Sequence, residues 1–580
     1  MPPEEQAGSS PVWGHAAVPF ALLRTYPSSK QDFGLMLDPV ATRDTDNYRS
    51  AFVRLLGATG FLVLLACLNV ASLLLARAAA RRNEFGIRGA LGARGRHLVA
   101  QVLTESLLLG CIGGALGIGF AYAGNRILVH SLPASLQIPR LEDTHVDLAV
   151  LCFAVLLTTA VAVLFGIAPA VALSGANLAA GERQKRSTHA NSWAGSALLI
   201  GEVAAALILF AGSVLMVRGF VRLANVDPGF RTAHILAASI PPGHASRLTK
   251  QQLMQRYSEI LRVAQDVPGV QQAALTSFLP LGRIAVQLQI HAPNSPDPIQ
   301  VDFHAVSADY FSVMGIPLMQ GRLFSKYDAG RDKGAIVINR TMAEKYWPHQ
   351  SAVGQHLSSR PPPAAPDITI IGVVGDTQHR SLSETPAPEF YESYRQYLGP
   401  AVGATLVVRT LGNPASVASS LRQSIPRFDP EQVIENEGTL QSIVERSIAA
   451  PRFYTVLLGV FALLALVLTL VGVYGVASYG ISLRTREFGI RMAIGAERRQ
   501  LVGMLVQQGL LKALLGVAAG AFGAWALARF MSGLVYGVPV KDPVSLIVSA
   551  AFLVGGVLLA YYLPARRSTK IDPAKVLRLE

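Results

Sequence analysis

Charge is scarce in this chain of 580 residues: only 15% are Asp, Glu, Lys or Arg, where an ordinary soluble domain carries about 25%. A wholly water-soluble fold is therefore not indicated. Cysteine is scarcer still. The three present, Cys67, Cys111 and Cys152, all fall inside apolar runs, so neither a disulfide framework nor a zinc site is indicated; they read as small buried hydrophobes. Catalytic signatures are missing as well. No G-x-x-x-x-G-K-[ST] phosphate loop occurs, and no H-E-x-x-H or G-x-S-x-G. The twelve histidines show no ligand spacing, so no metal, cofactor or catalytic constellation is assigned. Gly372-Val-Val-Gly375 lies on an apolar strand and reads as structural. Residues 1–50 contain no apolar core of signal-peptide type after a basic start, so none is expected within them.

What is present is apolar surface. Hydrophobic residues make up 51% of the chain and the mean hydropathy is +0.38. Seven runs are long enough to span, since about 20 helical residues cross the hydrocarbon core: Leu55–Ala76, Leu98–Asn125, Leu148–Ala172, Ala194–Val217, Thr455–Leu483, Leu501–Arg529 and Val544–Leu563. The formal charge of +14 would suggest nucleic acid in a soluble protein. Here the arginines cluster at the ends of apolar runs, where they orient helices and meet anionic headgroups. The partner this implies is a lipid bilayer, with no nucleic acid.

One basic stretch occurs twice. Arg81 to Val99 and Arg484 to Val502 superpose without a gap, placing Glu84 on Glu487, Phe85 on Phe488, Gly86 on Gly489, Arg88 on Arg491 and Gly92 on Gly495. Charged and small residues match together with their spacing, so apolar bias alone does not explain the likeness; this is an internal repeat. Arginine-rich connectors between spanning runs are cytoplasmic under the positive-inside rule. The Glu-to-Arg spacing of four sets opposite charges on one helix face, which favours a docking surface over charge that merely sets topology. The paired glycines let the connector turn tightly or approach a partner's backbone. After each connector comes a glycine pair, Gly113 and Gly117 in the first copy, Gly516 and Gly520 in the second, a spacing that admits close helix packing. Glu202, inside the fourth run, is costly in lipid and reads equally as a functional or a packing group.

Residues 218–452 have the character of a soluble domain. Lys250 to Val267 carries Leu253, Tyr257, Leu261 and Ala264 at helical spacing, and Ala335–Asn339, Ile368–Gly375 and Thr405–Arg409 read as buried strands. Asn413-Pro414, followed by Val417, Leu421 and Ile425, marks a helix start and face. Residues 360–366, rich in proline, read as a loop. Four runs separate the two connectors, so both lie on one side and the repeat is parallel. The expected fold is an α-helical integral membrane protein with a parallel internal repeat of about seven transmembrane helices plus an extracytoplasmic α+β domain. Its expected parts are an external remnant of a first outer domain (1–50), a first three-span permease domain (51–175), a basic cytoplasmic loop (176–193), a span (194–217), the outer domain (218–452) and a second three-span permease domain (453–580). Because the count puts residues 1–50 outside with no preceding span, a segment N-terminal to them is expected.

The Glu-Phe-Gly-Ile-Arg-x-Ala-x-Gly-Ala connector, its flanking spans, and the outer-domain stretches Val306-Ser-Ala-Asp-Tyr-Phe and Met314-Gly-Ile-Pro-Leu resemble the FtsX-like/MacB-like permeases of ABC transporters, and the two-halved layout is similar to their duplicated acidobacterial forms. The resemblance implies a multi-pass protein of a bacterial inner membrane. It also implies a separate dimeric ABC ATPase partner that binds ATP in place of this chain, and a connector that holds the coupling helix. Export or handover of a drug, peptide or lipid-linked molecule follows from it, with a periplasmic adaptor or outer-membrane protein as a further partner. Enzymatic activity is not expected of the chain itself. A second reading is a non-transporting membrane regulator that activates an extracytoplasmic enzyme; a third, a membrane-anchored binding module, leaves the repeat unexplained.

Overall fold

The computed structural model describes residues 40–80, 95–131, 147–174, 183–241, 249–282, 286–291, 298–325, 328, 334–359, 367–396, 404–428, 434–482, 485–494, 496–531, 537 and 542–568. In the membrane part, long helices α1 (Val40–Ala80), α2 (Gly95–Ser131), α3 (Leu148–Ser174) and α4 (Arg183–Ala224) precede the outer domain, and α10 (Ala449–Ser482), α11 (Thr485–Ala493), α12 (Arg498–Met531) and α13 (Pro543–Ser568) follow it. Between them lie α5 (Lys250–Gln265), α6 (Tyr310–Met314), α7 (Arg340–Tyr346), α8 (Pro414–Phe428) and α9 (Leu440–Ser447). Among the described residues six helices are long and apolar enough to cross a membrane; the described apolar part of α3, Leu148–Val161, is shorter. The repeat is visible in the helix starts: α2 opens at Gly95 and α12 at Arg498, which are matching positions.

Helices outrun the apolar runs that announce them. The polar stretch before the first span is helical from Val40, and the expected basic loop 176–193 is helical from Arg183 onward. Residues 183–193 contain neither Gly nor Pro, so nothing interrupts the i to i−4 hydrogen bonding once the span has nucleated it. At its outer end α4 likewise runs to Ala224, past the expected limit at Val217.

The outer domain is built on eleven strands: β1 (Ile235–Ile240), β2 (Val270–Thr276), β3 (Val286–Ile290), β4 (Ile299–Val306), β5 (Leu318–Gly321), β6 (Gly334–Asn339), β7 (His356–Leu357), β8 (Ile368–Val374), β9 (Glu389–Ser393), β10 (Ala404–Thr410) and β11 (Glu435–Thr439). They pair in the order β11-β1-β10-β2-β4-β9-β6-β8-β5, with β3 on β4 and β7 on β8. Two junctions, β4 with β9 and β6 with β8, are parallel. Strands β6 and β8 read as runs of Ile and Val because both faces are covered. The single pairing of Thr276 with Val306 joins β2 to β4, so the sheet is nearly divided into two lobes there. One face buries Leu253, Tyr257, Ile260 and Ala264 of α5 with Val417, Leu421 and Ile425 of α8. Helix α5 starts at a capping box, in which Thr249 and Gln252 satisfy each other's backbone donors. The opposite face packs Tyr310, Phe311 and Met314 of α6 against Tyr391 and Val407. The proline-rich loop 360–366 lies outside the described residues.

Both connections between membrane and sheet leave from one edge. Helix α4 leads into β1, β11 leads through α9 into α10, and β1 pairs antiparallel with β11, Leu236 opposite Thr439.

Candidate functional site

The second connector forms a helix, α11, under the membrane helices. Phe488 is its anchor: only 5% exposed, it packs with Ile481 of α10, Leu501 and Leu505 of α12 and Ala565 of α13. Burying one aromatic side chain this way contributes on the order of 2–3 kcal/mol, enough to hold a nine-residue helix that would not persist alone in water. Glu487 and Arg491 form an ion pair one helical turn apart at 2.5 Å, both nearly half exposed. Arg491 also reaches the Met504 sulfur at 3.6 Å. An exposed pair of this kind adds only about 0.3–0.5 kcal/mol to the helix.

Two apolar residues complete the outward surface. Ile490 and Ile494 are exposed, Ile494 by 82%, and stand one turn apart beside the ion pair. Sequence reasoning passed over them, although a signal existed: Ile87 and Leu91 hold the matching positions of the first copy. Gly489 lies within α11. Gly495 lies outside the described residues, as do Glu84, Phe85, Gly86, Arg88 and Gly92 of the first copy.

The two glycine pairs differ. A Cβ on Gly516 would stand 2.7 Å from Val203 Cβ, and one on Gly520 would stand 2.8 Å from the Ala204 carbonyl oxygen. Helix α4 is thus seated directly on the α12 backbone. Gly113 and Gly117 have no described atom within 4 Å of a Cβ position, so the close packing expected of them is not seen among the described residues. Helix α2 is partnered mainly by α3, and its pair borders an apolar groove of about 970 Å³ lined also by Cys67, Thr158, Gly475 and Tyr479.

Where α1, α4 and α10 meet, polar atoms gather inside the membrane part. Glu202 is 1% exposed, and among the described residues its Oε1 and Asn69 Oδ1 have no hydrogen-bond partner. Both oxygens point at Gly472, within 2.4 Å and 2.5 Å of where a Cβ would be. Asn69 donates its amide to the Leu468 carbonyl at 2.5 Å. Asn69 and Gly472 are equivalent positions of the repeat: one copy supplies the side chain, the other the room for it. At the outer end, Arg218 of α4 pairs with Asp542, which caps α13 through the Ser545 amide at 2.8 Å.

The sequence is similar to known proteins. Residues 56–178 and 459–573 match the FtsX-like permease C-terminal family, and residues 193–424 the MacB-like periplasmic core domain. The macrolide export ATP-binding/permease protein MacB of Neisseria gonorrhoeae is 23% identical over 288 residues, 48% of this chain and 44% of that protein. The probable syringafactin export ATP-binding/permease protein SyfD of Pseudomonas syringae pv. tomato is 25% identical over 295 residues, 48% and 42% of the two chains. The chain thus spans less than half the length of these curated relatives. Among solved structures, the periplasmic region of MacB from Actinobacillus actinomycetemcomitans is 14% identical, covering 39% of this chain and 96% of that one with a TM-score of 0.28.

Proposed function

Since the chain belongs to the FtsX-like permeases that carry a MacB-like periplasmic core domain, and is a multi-pass inner-membrane protein, we propose that it is the mechanotransmission subunit of an ABC transporter. A separate ATPase dimer closes beneath the two connectors, and the helices relay that movement to the outer domain, which exports or hands on a drug, peptide or lipid-linked molecule.

The observation that carries this reading is the continuity of α10. Its 34 residues extend about 50 Å at 1.5 Å per residue. One end adjoins α11, with its anchored Phe488 and its outward Ile490 and Ile494; the other continues through α9 into β11. Helix α4 packs along α10 and enters the adjacent strand β1. Displacing α11 therefore loads one sheet edge through two helices. The polar group at Glu202 is sealed between helices, which favours cargo being handled outside the membrane over passage through a wide aqueous channel.

The test is charge reversal at the connectors. Arg88→Glu, Arg491→Glu and the double variant should insert at normal levels yet fail to retain the ATPase and fail to show stimulated ATP hydrolysis. Full partner binding and stimulation in the double variant would reduce these arginines to topology signals and remove the coupling role. Proteins that co-purify with the detergent-solubilised chain decide the outcome of coupling. An adaptor or outer-membrane protein indicates export, whereas a cell-wall hydrolase indicates the regulatory reading.

A further inference from the structure

The outer domain holds a group of side chains that the coupling role does not use. His304 on β4, Glu389 at the start of β9, and His379 in the segment between β8 and β9 are all buried, and their donor atoms lie within 4.8 Å of one another. Strands β4 and β9 are parallel, with Asp302 opposite Glu389 and His304 opposite Tyr391, so these four side chains project from one face. The imidazoles of His304 and His379 stack with ring centroids 3.9 Å apart.

A buried histidine in an ordinary core hydrogen-bonds at least one ring nitrogen. His304 does otherwise: among the described residues neither of its ring nitrogens has a partner, although it is 1% exposed, and Nε2 of His379 has none either. Such groups are costly to leave unpaired in a dry interior. Glu389, by contrast, is held in place: its Oε2 accepts from the Thr377 hydroxyl at 3.0 Å and from the Tyr391 hydroxyl. That is the outer support a ligating carboxylate receives.

The geometry points to a binding site for one divalent first-row transition-metal ion, of the Zn²⁺ class, with His304, His379 and Glu389 as protein ligands. Two imidazoles and one carboxylate are a donor set such ions take. The donors need to close from their present spacing to accept metal–ligand bonds of about 2.0–2.2 Å. Of the charged groups nearby, Asp302 accepts from Arg380 at 3.0 Å and 2.6 Å, which leaves the pair balanced beside the site.

An ion here would tie three segments that only the fold brings together. The His379 segment also meets the link that leaves α4: Gln378 donates to the Pro228 carbonyl at 2.9 Å, and Gly229, at φ +79°, would drive a Cβ into the Asp376 carbonyl oxygen at 2.0 Å. The bound metal would therefore stiffen the outer domain where the membrane helix enters it. The site is independent of the coupling reading and stands or falls alone.

The experiment uses the full chain in detergent, stripped with chelator and dialysed, then titrated with Co²⁺ and displaced with Zn²⁺. One Co²⁺ per chain should bind with the ligand-field absorption of a low-coordinate nitrogen and oxygen site, and Zn²⁺ should displace it. His379→Gln and Glu389→Gln should each weaken binding by more than about 100-fold, beyond the loss caused by removing an outer-shell partner. Absence of stoichiometric uptake by the wild-type chain overturns the proposal, as does unchanged uptake in either variant when it remains folded. Should both variants fail to fold, X-ray absorption of the Zn²⁺-loaded wild type decides: two imidazoles and a carboxylate support the site, and sulfur or fewer imidazoles overturn it.

Discussion

Helices α2 and α12 are two copies of one sequence pattern in one chain, yet they meet different surroundings. In α12, Gly516 and Gly520 lie against the backbone of α4, and Ala513 and Leu505 are buried. In α2 the matching Gly113 and Gly117 face open space among the described residues, with Leu109, Ile112 and Leu116 exposed around them. The same small-xxx-small spacing thus permits close approach without enforcing it. In a bilayer there is no hydrophobic drive to bring helices together, so the partner's shape decides whether the groove is used. Helix α4 supplies that shape to α12 through Ile200, Val203, Ala204 and Leu207.

The comparison breaks most visibly under a bulky residue. Gly520→Leu would force α4 off α12, and overpacking of this kind costs about 1–3 kcal/mol or more; the variant should lose thermal stability in detergent or fail to accumulate. Gly117→Leu places the same side chain beside the groove and should change stability by less than about 0.5 kcal/mol. Equal losses at the two positions would mean that α2 is packed as tightly as α12, and the contrast would disappear.

A smaller substitution sharpens the contrast where the copies touch. Gly472→Ala adds one methyl at a point already approached by Glu202 and Asn69, and should cost about 1–2 kcal/mol because two side chains have to turn away. Removing Asn69 as well, in Gly472→Ala with Asn69→Ala, should recover part of that loss, since one of the obstructing oxygens is gone. A double variant that shows the sum of both single losses would indicate that the two positions do not share space.

Much of this arrangement was legible in the chain. The repeat set the matching helix starts at Gly95 and Arg498, and the runs of Ile and Val at Ala335–Asn339 and Ile368–Gly375 became β6 and β8 because buried parallel strands need apolar side chains on both faces. Other features were hidden. Strands β4 and β9 carry Asp302, His304, Glu389 and Tyr391, whose polar character disguises central strands, and their parallel pairing joins segments distant in sequence. His304 and His379 showed no ligand spacing for the same reason: the fold, not the sequence, sets their separation. The mismatch between Gly113 and Gly516 was equally invisible, because it depends on which helix arrives.

The smallest expected effect concerns the ion pair of α11, and it separates what holds the connector from what it presents. Glu487 and Arg491 are both nearly half exposed, so water and salt screen their attraction and ordering two long side chains offsets part of it. In a double-mutant cycle with Glu487→Ala and Arg491→Ala, the coupling measured by thermal unfolding should be about 0.3–0.5 kcal/mol and should fade at high salt. Phe488 has no such alternative solvent, so the helix keeps its seat under α10, α12 and α13 when the pair is gone. A coupling energy well above about 1 kcal/mol, or one insensitive to salt, would show that the pair is a structural fixture of the membrane helices. Its charges would then be committed inward, and the outward surface of α11 would reduce to Ile490 and Ile494.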